Sequence, residues 1–253
     1  MRALGILLTL LCGIASARAE TLITSLSNHR VLINSNYTGT SIVVFGSIER
    51  DAQTVARATG YDAVITVRGP RQFLVVRERE KFGPIWINQE QQKFPEAPAY
   101  LSVLTSRPVE QMTSPQLRAR QKVGLSAIIN GPDFTNQRAG EDTAFRDALF
   151  RLKSQEGLYL EDERGVTFLT PTLFRASIPL PAIAPPGNYD VEVTLFADTV
   201  ILASTLTNFE LVKTGFEEQV GEVARDWSLF YGAATALIAI FFGWLANVIF
   251  RCD

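Results

Sequence analysis

From Ser228 to Phe250 the chain carries no charged side chain. A helix over that run rises about 1.5 Å per residue and measures about 34 Å, enough to cross a hydrocarbon core roughly 30 Å thick. Leu, Ile, Val and Phe fill about half of its positions, and each favours the bilayer centre by roughly 0.3–0.6 kcal/mol. The sequence thus predicts a C-terminal transmembrane helix at 228–250, with Trp227 and Tyr231 at its outer aromatic belt and 251–253 as a cytoplasmic tail. Within it, Gly232, Ala236, Ala239, Gly243 and Ala246 recur at spacings of four and three. That spacing puts them on one smooth face, with Asn247 beside it, where a second helix could approach closely and gain a hydrogen bond. A membrane-protein partner or self-association through this face is the expectation.

The N-terminus carries a second apolar run. Arg2 precedes Ala3 to Cys12, and Ala17-Arg18-Ala19 follows with the small-x-small pattern of a cleavage site. The run of about ten residues is too short to span a bilayer. Residues 1–19 read as a signal peptide, which would export the body and leave Glu20 as the new N-terminus. Cys12 does not read as a lipidation site, because the bulky Leu11 stands before it. The other of the two cysteines is Cys252. The exported body therefore has no thiol and cannot be a disulfide scaffold.

The body is long enough for its own core. Between 20 and 110, short β-branched or alternating runs separated by turn residues predict an antiparallel β segment. Candidate strands are His29 to Asn34, Ser41 to Ile48, Asp62 to Arg68, Gln72 to Glu78, Ile85 to Gln89 and Tyr100 to Thr105. Gly69-Pro70 and Gly83-Pro84 mark reversals. Residues 111–156 change character. Ser114-Pro115 is an N-cap followed by a first-turn proline, opening a helix to Ile129, and a second helix covers Glu141 to Gln155 with Phe145, Ala148, Leu149 and Leu152 on one face. The pair reads as a helical hairpin inserted against a sheet. Strands return over 157–213, at Val166 to Leu169, Leu173 to Ile178, Tyr189 to Phe196 and Val200 to Leu211, with a turn near Ala197-Asp198. Residues 214–227 form an acidic juxtamembrane segment. The fold class is mainly β: an Ig-like antiparallel β-sandwich, one or two, with a helical insertion and the C-terminal span.

A net charge of −2 with mixed signs offers no basic stripe, which argues against nucleic acid. The single histidine, His29, has no second histidine or body thiol to complete a metal site or a nucleophile-base pair. Glu161, Asp162 and Glu163 beside Gly165 read as a solvated turn rather than a carboxylate pair for glycoside chemistry. Asn36-Tyr37-Thr38 matches a glycosylation sequon that only a eukaryotic secretory route would use. The polar cluster with most promise is Arg68, Arg71, Arg77, Arg79 and Lys81 on adjacent strands near Trp86 and Asn88. Guanidinium groups beside an aromatic ring suit a small oxyanion or a carboxylate, and Arg68, Arg77, Trp86 and Asn88 are the residues expected to hold it. Glu78 and Glu80 alternate with them, so cross-strand ion pairs are the simpler alternative.

Several segments together resemble a family of alphaproteobacterial predicted transmembrane proteins with no assigned activity. They are Arg68-Gly69-Pro70, Val76-Arg77, Gly83 to Asn88, Leu173 to Ala176, Pro186 to Tyr189, and Tyr231-Gly232 through Gly243-Trp244-Leu245 to Arg251. The resemblance implies a Gram-negative inner membrane and a periplasmic body, and the residues themselves point to no cofactor. It also implies an accessory role, since members are often encoded beside a sulfite-exporter-like transporter. The expectation is a non-catalytic periplasmic accessory protein for such a transporter. The alternatives are an anion-binding or sensing module and a hydrolase with an unfamiliar site.

Overall fold

The computed structural model describes residues 20–34, 37–50, 60–131, 134, 142–214 and 228–250. Outside them lie the signal peptide expected at 1–19, the sequon asparagine Asn36, most of the acidic segment at 214–227 and the tail expected at 251–253.

Seven strands come first: β1 Thr21–Leu26, β2 Arg30–Ile33, β3 Gly39–Glu49, β4 Asp62–Arg68, β5 Arg71–Phe82, β6 Ile85–Pro98 and β7 Leu101–Thr105. Four helices follow, α1 Val109–Met112, α2 Pro115–Gln121, α3 Leu125–Ile129 and α4 Asp142–Gln155. Then come β8 Tyr159–Asp162, β9 Val166–Thr170, β10 Leu173–Pro181, β11 Gly187–Ala197, β12 Val200–Lys213, and α5 Ser228–Phe250. β1-β3-β10-β9 form one sheet, β2-β12-β11-β4-β7-β8 a second, and β5-β6 a separate pair.

Both large sheets take strands from either side of the helical segment, and their inner faces share one buried cluster. Alternation explains it: Ile42, Val44 and Ile48 of β3 point inward, as do Phe174, Ile178 and Leu180 of β10. Gly46 stands opposite Phe174, and a Cβ there would lie 2.0 Å from the phenyl ring, so glycine is what lets the ring lie flat on the strand. Side-chain bonds tie the sheets together. The Tyr100 hydroxyl donates to the Pro179 carbonyl at 2.5 Å and the Thr205 hydroxyl to the Leu22 carbonyl at 3.1 Å. Tyr189 donates to the carbonyl of Pro185, four residues upstream, at 2.6 Å, much as a tyrosine corner pins a sandwich edge.

The antiparallel expectation needs correction in two places. β2 pairs parallel to β12, and β7 pairs parallel to β8. A parallel neighbour cannot be reached by a tight turn. The helical segment between β7 and β8 is therefore the crossover that makes their pairing possible, rather than an insertion into a hairpin. Its first predicted helix is broken: Lys122 takes the left-handed region at φ 52° and Gly124 lies at φ 94°, which ends α2 and restarts the chain as α3. On helix α4 the predicted Phe145, Ala148 and Leu149 pack toward the core, but Leu152 is exposed and Arg146 turns inward instead, donating to the Asn130 side chain at 3.1 Å.

The membrane-spanning part of the expected fold class is overturned. Helix α5 has the predicted bounds, but among the described residues no helix is long and apolar enough to cross a membrane.

Candidate functional site

Strands β5 and β6 leave the body as a long hairpin. At its root Leu74 pairs with Phe94, and Val76, Phe94 and Ala97 are buried. Beyond Val76 the strands have no third neighbour. The register runs Arg79 opposite Asn88, Glu80 opposite Ile87, Lys81 opposite Trp86 and Phe82 opposite Ile85, leaving Gly83-Pro84 as a two-residue loop. Gly83 has φ 61°, and glycine is favoured at the first central position of a type II′ hairpin turn for that reason. Phe82, Ile85, Trp86 and Ile87 are 72%, 58%, 66% and 38% exposed.

Where the hairpin emerges, helix α4 passes beside it and leaves a groove of about 280 Å³. Arg77 and Arg79 reach it from β5 and Arg151 from α4, with Phe145 and Ala148 as its apolar wall and Glu78 the one carboxylate on its rim. The pairing shifts between Arg77 and Arg79, a bulge that re-aims side chains as bulges beside binding sites do. None of the three arginines makes an ion pair with another described residue. Guanidinium forks with unused donors beside an apolar wall can bind an oxyanion at two or more oxygens.

The predicted anion residues are only partly brought together. Arg77 lines the groove. Trp86 and Asn88 lie farther out along the same hairpin, facing Lys81 and Arg79 across the strands. Arg68 belongs elsewhere: β4 and β5 are in different sheets, and Arg68 donates to Glu192 of β11 at 2.7 Å. Arg71 donates to Glu96 at 2.7 Å. Sequence reasoning missed Arg151, although its i, i+3 spacing from Ala148 was a usable signal. The predicted packing face on α5 is open: Gly232, Ala236, Ala239, Gly243, Ala246 and Asn247 are exposed, and nothing lies within 4 Å of a Cβ at Gly232 or Gly243.

One other reading changes. Glu161 is no turn residue. It lies on β8 and accepts from the backbone N–H of Leu125 at 3.2 Å, at the start of α3. Burial pushes its carboxyl up from the usual range, the Leu125 hydrogen bond opposes this, Glu110 and Glu163 add to the rise, and Arg118 lowers it. His29 is exposed at the start of β2, and among the described residues no group of three or more His, Cys, Asp or Glu could hold a metal ion.

Residues 21–252 match a family described as "Putative transmembrane protein", Alph_Pro_TM, and the chain belongs to that family. No curated protein matches it. Among solved structures, AggA, the major subunit of aggregative adherence fimbriae type I from Escherichia coli, is 10% identical over 78% of this chain and 97% of its own. Its TM-score of 0.27 is too low to carry an argument about fold or role.

Proposed function

We propose that this protein is a non-catalytic accessory component of a bacterial inner membrane, its β body in the periplasm, which binds a small oxyanion of the sulfite type for a partner transporter. The observation that carries this reading is the groove of Arg77, Arg79 and Arg151, three arginines without carboxylate partners among the described residues beside the ring of Phe145. An oxyanion there exchanges water for several charge-assisted hydrogen bonds. The open small-residue face of α5, from Gly232 to Asn247, is where a helix of the partner would pack. The same groove also favours a second reading, a sensing module that works without a transporter.

Titration calorimetry of the full chain in detergent, against sulfite, sulfate and phosphate, tests the site. Saturable binding is expected, weakened about tenfold or more by Arg77→Ala or Arg151→Ala, as loss of a charge-assisted pair implies. Arg68→Ala, outside the groove, is expected to leave it unchanged. Silence with all three anions overturns both readings. Crosslinking in intact membranes separates them, because only the accessory reading expects a transporter to be captured.

A further inference from the structure

We propose that the tip of the β5–β6 hairpin, Phe82 to Ile87, is a lipid-insertion element that dips into the interfacial layer of a bilayer bearing anionic headgroups. This does not depend on the oxyanion groove. Its first support is the distribution of apolar groups over both faces. Side chains alternate along a strand and cross-strand partners share a face. The register therefore puts Phe82, Ile85 and Ile87 on one face and Trp86 on the other, all exposed. A protein partner would cover one face and leave the other in water, whereas lipid surrounds a tip from every side.

The second support is the order of residues along the hairpin. Behind the apolar tip come Lys81, Arg79 and Arg77, with Trp86 beside Lys81. Indole rings and basic side chains settle at the headgroup level, where an anionic leaflet attracts cations by about 1 kcal/mol each near its surface. Glu80 stands across from Ile87 and limits the depth of entry. At about 3.3 Å per residue, the stretch from the turn back to the Glu80–Ile87 pair reaches roughly 10 Å, the depth at which interfacial elements bury their apolar side chains. The third support is stability. A two-stranded hairpin is marginal in water, and the side chains of its tip, Phe82, Ile85, Trp86 and Ile87, are exposed.

The chain has three tryptophans, Trp86, Trp227 and Trp244, so Trp227→Phe with Trp244→Phe makes Trp86 the sole indole reporter at the tip, whatever other segment meets lipid. The full chain carrying both changes is mixed with vesicles of phosphatidylglycerol and phosphatidylethanolamine, and separately with phosphatidylcholine alone. The expected result is a blue-shifted Trp86 emission, quenched by brominated acyl chains near the interface. Half-saturation should come at roughly tenfold less lipid on the anionic vesicles, a preference abolished by Arg79→Glu with Lys81→Glu. Emission unmoved by either vesicle, or shielding of Trp86 that appears only with native membrane protein present, overturns the proposal, the latter in favour of a protein dock. If the tryptophan variant does not fold, trypsin cleavage of the wild-type chain after Lys81 decides. Protection by anionic vesicles supports insertion, and equal cleavage with and without them overturns it.

Discussion

Strand β4 and the outer half of β5 are neighbours in sequence with opposite fates. From Ala63 to Val67 every residue of β4 is buried, while from Arg77 to Phe82 every residue of β5 is exposed. Composition contributes, since β4 is apolar there apart from Thr66 and β5 alternates charges, but it does not account for Phe82, Ile85 and Trp86. Those side chains are as apolar as Val64 and Ile65. What differs is the surroundings. β4 has β11 and β7 hydrogen-bonded on its two edges, the second sheet against one face and elements of the helical crossover over the same end of its sheet. β5 has β6 alone. Burial here is a property of position within the fold, and the exposed tip is an apolar surface the rest of the chain leaves uncovered.

Paired truncations test that contrast most severely. Phe174→Ala empties a fully buried site and is expected to cost about 3–5 kcal/mol in urea unfolding, whereas Phe82→Ala should cost less than about 0.5 kcal/mol. Equal costs would mean that the tip packs against the body. A smaller effect is expected at the seam between the sheets. Tyr100→Phe removes the bond to Pro179 and should cost about 1 kcal/mol at pH 7. Burial pushes the Tyr100 hydroxyl up to about 12 from 10.0, so the folded state favours its protonated form. Its contribution is complete below pH 10 and is lost as pH rises through about 12. The deficit of the phenylalanine variant should therefore shrink between pH 10 and 12; a constant deficit would show that the hydroxyl does not sense burial.

The smallest change is expected at Glu161. Its raised folded pKa means that the protein loses stability as pH climbs from the ordinary value of 4.5 through the folded one. Glu161→Gln keeps an acceptor for the Leu125 N–H and removes a partly desolvated charge. It should raise the melting temperature by about 2 °C at pH 7 and leave it unchanged at pH 4. A lower melting temperature at pH 7 would show that the ionised carboxylate is the form the α3 terminus needs.

Local signals made much of the fold legible. Asp62 to Arg68 is a strand with the bounds its apolar run predicts, α4 ends at the predicted Gln155, and the Gly83-Pro84 and Ala197-Asp198 reversals are both present. β5 and β6 extend past prediction to Phe82 and Pro98, because the charged Arg77 to Lys81 and the polar run after Asn88 suppress the apolar alternation used to find strands. β1 escaped notice since Thr21 to Leu26 is short and lacks a strong turn before it. Strand partners were out of reach altogether. Nothing within β4 or β5 says that one joins β11 and the other only β6, and that separation is what removes Arg68 from the arginine cluster and brings Arg151 to it.

The larger sheet has one more consequence, for the order in which the molecule assembles. Its edge strand β2, near the beginning of the body, lies parallel to β12 at the end, with Arg30 opposite Glu210 and the Thr214 N–H donating to the Ile33 carbonyl at 2.6 Å. Joining strands so far apart in sequence carries a loop-closure cost that slows folding. A chain emerging N-terminus first holds its early strands in an unfinished state until Lys213 has appeared. Any factor that keeps such a chain from aggregating must therefore act over nearly its whole length of emergence.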